Sequence, residues 1–359
     1  MDVSKILNIQ HPIIQAPMAL ADSPALAAAV SNLGGLGSLG AALFEPEQIR
    51  QKIKDIRELT NKPFNINLFS PTESSNYSAA EINKALHDLN YFRNKLGMPE
   101  CNHIDIPSVT PFAEKLAVIL EEKVPIFSFT FGILSSEIIQ SIKSHGIKVI
   151  GTATTVREGR LLEQNGVDAI VAQGYEAGGH RGTDLKITSI NDALIGTIAL
   201  VPQLVDAVSI PVIASGGIMD ARGIVAALIL GASGVQMGTA FLTCPESSIH
   251  NKHRECLLSS SDESTWLTNV FTGRMARSLK NDFLLEMNKR HCSVLNFPQQ
   301  SALVKDIREE AKKQNNPEYM SLWSGQASNL CQNKTAAELF NELVNESNMY
   351  LKNIGQKFI

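Results

Sequence analysis

At 359 residues, 44% hydrophobic and 19% charged, the chain can bury one large core or two modest ones. A formal net charge of −4 without a basic stripe argues against a nucleic-acid partner, and the longest apolar run, 224–230, is far too short to span a bilayer. The N-terminus, broken by Gln10, His11 and Gln15, lacks a signal peptide's apolar segment, and five scattered cysteines without CxxC spacing fit free thiols in a reducing cytoplasm.

In chain order, short apolar runs predict strands at 12–16, 35–39, 64–68, 126–131, 148–152, 169–173, 212–215 and 235–238. Helices fit between them. Ser23 before Pro24, Pro46, Thr155 with Glu158 in a capping-box pattern, and Asp220 ahead of 221–230 mark their starts. Gly146, Gly166 and Gly231 sit where helix C-terminal glycines belong. Eight β/α units in this length predict an α/β fold, a TIM (β/α)8 barrel with helical insertions and a C-terminal helical extension.

Two segments interrupt the regularity after strand ends: 70–125, and 175–208, which lengthens the loop bearing His180. The barrel is expected over 1–245. The remainder, 246–359, is read as packing, lid or homodimer surface, with a final helix over 335–354 that places Leu339, Phe340, Leu343 and Leu351 on one face.

The chemistry concentrates in AIVAQGYEAGGHRGT, 169–183, where a buried-strand pattern runs into glycines and delivers His180 just past a strand's carboxyl end. That edge is where parallel sheets bind ligands. Gly178 and Gly179 let the backbone turn and approach a ligand closely. A second signal is the pair Ser215-Gly216-Gly217-Ile218 and Gln236-Met237-Gly238-Thr239. On the strand count these follow strands seven and eight, where barrels hold a phosphate with backbone N–H groups and a helix N-terminus, and Thr239 adds a hydroxyl. No metal site is expected, because the eight histidines show no HxxxH or carboxylate cluster; His11, His87, His103, His145, His250, His253 and His291 read as structural.

QAPMA (15–19), SNLGGLGSLGA (31–41), NINLF (65–69), SFTFG (128–132), QGYEAGGHRG, ASGGI, QMGTAFL and FTGRMARSLKNDF, in this order over about 12–283, resemble the bacterial nitronate monooxygenases, formerly 2-nitropropane dioxygenases. The resemblance implies an FMN-containing barrel that oxidises alkyl nitronates, propionate 3-nitronate among them, with molecular oxygen to a carbonyl compound and nitrite, without nicotinamide. It further implies that His180 is the active-site histidine and that Asn67 and Gln173 contact the flavin. Gly178, Gly216, Gly217, Gln236, Met237, Gly238 and Thr239 would hold the flavin and its phosphate, with Met18 beside the isoalloxazine ring. His180 could act as a base when neutral or pair with the nitronate when protonated, alternatives the sequence leaves open. Rival readings are an NAD(P)H-dependent flavin reductase of the same superfamily, acting on enoyl-acyl-carrier protein or quinones, and a non-enzymatic flavin-binding protein.

Overall fold

The computed structural model describes residues 2–71, 75–104 and 110–356. Eight strands, β1 (Ile13–Gln15), β2 (Gly37–Gly40), β3 (Phe64–Phe69), β4 (Ile126–Thr130), β5 (Lys148–Ala153), β6 (Ala169–Gln173), β7 (Val212–Ser215) and β8 (Gly234–Met237), form one sheet ordered β1-β8-β7-β6-β5-β4-β3-β2, with every neighbour parallel. Its edges meet. Ile14 bridges Leu36 in parallel, the Gln15 N–H donating to the Leu36 carbonyl at 2.9 Å and the Leu36 N–H to the Ile13 carbonyl at 3.0 Å. The result is the expected TIM barrel.

Alternation along the strands explains how this barrel acquires a polar mouth. Outward residues such as Ile66, Phe127, Phe129, Val149, Ile170, Val212 and Val235 join the core shared with the helices. Inward residues at the strand starts, Ile14, Ile126, Ile150, Ala169, Val171 and Ile213, form a separate apolar layer with Val3 and Leu7 of the first helix. Two residues further along, the same face carries Asn67, Ser128, Thr152, Gln173 and Ser215. The lower interior is therefore a packed core, and the upper interior is hydrogen-bonding surface.

The helix signals hold. Ser23 Oγ accepts the Leu26 N–H at 2.9 Å, Thr155 and Glu158 form a capping box, and the Asp220 side chain caps helix Ala221–Ile229. Gly146, Gly166 and Gly231 have φ of 78°, 94° and 96°. Two expectations need correction. The segment 175–208 is not only a long loop, because Thr197–Ala207 is its helix; Pro202 inside it removes a backbone donor and obscured the pattern. The final helix runs Ala336–Gln356 and buries Leu339, Phe340 and Leu343, but Leu351 is 43% exposed. Eight residues past Leu343, it is rotated about 80° off that face.

A second core unites the first insertion with the tail. Helix Ala79–Lys95 contributes Ala85, Leu86, Leu89 and Phe92, which pack with Phe271, Phe283, Leu303 and Ile307; residues 72–74 and 105–109 of that insertion lie outside the described residues. Arg93, 0% exposed, crosses this interface to Asp306 with Nε–Oδ2 at 2.8 Å and Nη2–Oδ1 at 3.2 Å, and also reaches the Leu303 carbonyl at 2.9 Å. Arg93 is buried but the Asp306 side chain is 39% exposed, so it is loss of the carboxylate that strands a buried charge. Asp306→Ala is expected to lower stability by about 3 kcal/mol, read as a shifted denaturant midpoint.

Candidate active site

The carboxyl ends of the strands converge on His180. Its backbone is not a free loop. Gly179–His180 is the third strand of a small antiparallel sheet built by the tail strands Thr265–Thr268 and Ala276–Leu279, with Ala276 opposite His180 and Arg277 opposite Gly179. Arg277 adds guanidinium hydrogen bonds to the Tyr175 carbonyl, and the Gln326 N–H donates to the Glu176 carbonyl at 2.9 Å. Gln173 clamps the loop from the barrel side: its amide donates to the His180 carbonyl at 3.0 Å and accepts the Gly182 N–H at 2.8 Å.

The imidazole sits among four aromatic rings, Phe69, Phe131, Phe297 and Trp323, at centroid distances of 6.4, 5.5, 6.4 and 5.3 Å. Its Nε2 lies 2.8 Å from Thr272 Oγ1. Burial first, then the positive charges of Arg274 and Arg308, push its pKa down to about 3. Of the two alternatives left open by the sequence, this environment favours neutral imidazole at pH 7. Phe131 is held at φ 81°, in the left-handed region that a bulky residue occupies only under constraint. Its ring carries the Arg274 guanidinium at 3.8 Å on one side and the T-shaped His180 contact on another.

The other expected residues are distributed as follows. Asn67 is buried and donates to Ser128 Oγ at 2.9 Å. Met18 is half-buried at the end of β1; its N–H donates to Asp22 Oδ2 at 2.6 Å, and its sulfur lies 3.5 Å from where a Cβ on Gly238 would stand. Asp22 went unnoticed in the sequence. It also accepts the Gly40 N–H at 2.7 Å, and burial pushes its carboxyl up to about 7. Gln236 is half-buried, whereas the Met237 side chain belongs to the core shared with the helices, so only its backbone can serve the mouth. Gly178 makes its close approach to the tail: an added Cβ would stand 2.5 Å from the Gly325 nitrogen.

Gly216 and Gly217, at φ 121° and 69°, directly follow β7, and Gly238 with Thr239 directly follows β8, the strand paired beside it, where the phosphate site is expected. Among the described residues, neither the Gly217 nor the Gly238 N–H has a protein acceptor. The helix after Gly238 is a single turn, Thr239–Leu242, and Asp220 already caps the helix after β7, so free amides rather than a long helix dipole would meet the anion. From the tail, the Gly325 N–H donates to Thr239 Oγ1 at 2.9 Å, which leaves that hydroxyl's proton available. The tail residues Thr272, Arg274, Phe297, Trp323 and Gly325 escaped the sequence reading because none carries a spacing signal; only the FTGRMARS segment marked the region.

A family model for nitronate monooxygenase matches residues 2–346. The chain belongs to the nitronate monooxygenase family. A probable nitronate monooxygenase of Staphylococcus saprophyticus is 41% identical over 96% of this chain and 97% of its own length, and one from Staphylococcus aureus strain Newman is 41% identical over 98% of each. Among solved structures, a nitroalkane oxidase from Streptomyces ansochromogenes matches with a TM-score of 0.88 and 36% identity over 98% of this chain and 99% of that one. FabK from Thermotoga maritima matches with a TM-score of 0.78 and 30% identity over 99% and 98%. The family places the chain among oxidoreductases, and among the described residues no helix is long and apolar enough to cross a membrane.

Proposed function

We propose that this member of the family binds FMN in the barrel mouth and oxidises alkyl nitronates, propionate 3-nitronate among them, with molecular oxygen to a carbonyl compound and nitrite. The observation that carries the reading is the placement of a neutral, desolvated His180 on a rigid sheet strand above a polar strand-end layer whose far side offers unpaired glycine amides. The fit to a flavin phosphate rests on the Gly217 and Gly238 N–H groups, which have no protein acceptor among the described residues, and on the room at Gly238, where an added Cβ would meet only Ala16 Cβ and Met18 Sδ at 3.5 Å. Gly216, Gly217, Gly238 and Thr239 would hold the phosphate, and Asn67, Gln173, Gln236 and Met18 would line the ring. When bound, the flavin supplies the electron transfer between nitronate and oxygen. The test is oxygen uptake by the yellow holoprotein with a nitronate and no nicotinamide. A colourless protein, or uptake that requires NAD(P)H, would overturn the reading.

The chain's own residues supply orientation and a proton acceptor. The four rings exclude water around the imidazole, and the small sheet fixes its position. Thr272 engages Nε2 and so leaves Nδ1 as the ring nitrogen not bonded to it. Its hydroxyl has one hydrogen, which it donates to the Arg274 carbonyl at 3.2 Å while accepting the Arg274 N–H at 3.3 Å. In the tautomer that matches this use of the hydroxyl, Nε2 of His180 donates to Thr272 and Nδ1 holds the lone pair that would accept a proton from the α-carbon of a neutral nitroalkane. Thr272→Val is expected to lower kcat/KM for nitroethane about tenfold, with a smaller change for ethyl nitronate, and Thr272→Ser to restore it. Equal losses on both substrates would remove Thr272 from the proton path.

A further inference from the structure

Two buried guanidiniums line one small cavity that none of the residues expected to hold flavin or substrate reaches. It has a volume of about 180 Å³ and lies between the loop 181–190, which follows His180, and the tail turn 269–275. Arg181 is 1% exposed and Arg274 8%, and each keeps a buried Nε–H that no protein atom accepts. Their other nitrogens are committed. Arg181 donates to the carbonyls of Gly174, Gln173 and Ala193, while Arg274 donates through Nη2 to the Thr183 carbonyl and rests its face on the Phe131 ring at 3.8 Å. A buried charged donor left unpaired is costly, so an acceptor is expected in the space beside it.

The acids nearby do not occupy that space. Glu158 and Asp184 act on Arg274, and Glu158 and Glu176 on Arg181, yet none of the three lines the cavity, and among the described residues neither guanidinium forms an ion pair. Their oxygens are used elsewhere. Glu158 accepts the Thr154 hydroxyl and the Thr155 and Asp184 N–H groups, Asp184 accepts the Lys186 N–H, and Glu176 accepts the Thr197 hydroxyl. Burial outweighs these acids and pulls both guanidiniums down to about 10. The cavity wall is therefore cationic, and its volume is well above the roughly 10–15 Å³ that admits a single water.

We propose that the cavity between Arg181 and Arg274 is a binding site for a small planar oxyanion, and that nitrite is its ligand. One spare N–H on each arginine suits an ion with two oxygens and one charge. The site stands on this geometry alone; nitrite as its occupant rests on the proposed reaction, which releases it. The walls are also the segments that hold His180, since the Arg181 N–H donates to the Met275 carbonyl at 2.9 Å and Thr272 engages Nε2. A bound ion would tie the His180 loop to the tail.

Leu185, 54% exposed, and the exposed Asn269 stand on the cavity wall and take no part in the reaction, so they allow a test that leaves both arginines in place. Leu185→Glu and the nearly isosteric Asn269→Asp supply a competing carboxylate. Each should raise the Kd for nitrite at least about tenfold, the scale of one charge-assisted hydrogen bond, whereas Leu185→Gln should stay within about twofold of wild type. Calorimetric titration of the holoproteins with sodium nitrite, at an ionic strength held by sodium chloride, reads these constants without turnover. Absence of nitrite binding in wild type would sink the site, as would undiminished binding in both acidic variants, the result for an ion held at the flavin. An equal loss in Leu185→Gln would make the effect steric and reject the electrostatic site too. Parallel titrations with nitrate and bicarbonate identify the occupant: tighter binding of either would overturn nitrite and keep the oxyanion site. If the variants behave as expected while a nitronate and oxygen yield no nitrite, the oxidase reading fails and the site stands.

Discussion

His180→Asn is expected to retain its flavin and to lose about 10²–10⁴-fold in turnover of neutral nitroalkanes, with a smaller loss on preformed nitronates. Only the neutral substrate must surrender a carbon-bound proton, so only that reaction requires a base. The structure sharpens the expectation. With the imidazole pushed down to about 3 by burial and by Arg274 and Arg308, wild-type kcat/KM for a nitroalkane should keep its acid limb well below pH 6.5, where an ordinary histidine would already be half protonated. Parallel pH–rate profiles on nitroethane and ethyl nitronate, for wild type and variant, measure both effects. Wild-type rates on both substrates in the variant would remove His180 from the chemistry.

The same sign applies to stability. A histidine whose folded pKa is depressed leaves the unfolded chain binding more protons between about 3 and 6.5, so its contribution is full above that window and fades as pH falls through it. His253, buried with Nε2 3.0 Å from the Trp323 carbonyl and lowered to about 4, acts in the same direction. Asp22 opposes them. Raised to about 7, it stabilises the fold when protonated, and that contribution is lost as pH rises toward neutrality.

What was legible in the sequence follows from how local each signal is. The strands alternate with capped helices, and each cap needs only a few neighbouring residues, so all eight strands appear within two positions of their expected bounds. His180 announced itself through flanking glycines at a strand end. The tail did not, because its contribution is long-range. The contact between Thr272 and His180 spans ninety-two positions, and the pairing of Ala276 with His180 has no local signature. The glycines were found for partly the wrong reason. Gly178 was expected to make room for a ligand, whereas in this fold it makes room for Gly325, a constraint invisible until the tail folds back over the mouth.

That distinction among glycines decides how the phosphate site should be tested. At Gly217 any side chain enters a left-handed conformation at φ 69° and stands 3.1 Å from Glu176 Cβ, so Gly217→Val should lose flavin and also about 1–2 kcal/mol of stability. Gly238 differs. Its φ is −105°, and a Cβ there meets only Ala16 Cβ and Met18 Sδ, both at 3.5 Å, an ordinary contact. Gly238→Ala should fold with wild-type stability, and Gly238→Val should fold while its added methyls crowd the amide that would face the phosphate. The expected outcome for Gly238→Val is a protein with the melting temperature of flavin-free wild type, little bound FMN, and no preference for FMN over riboflavin, because the phosphate is the only group distinguishing them. Flavin absorbance per protein and paired titrations with the two flavins read this directly. Full occupancy with an undiminished preference for FMN would show that the loops after β7 and β8 do not hold the phosphate.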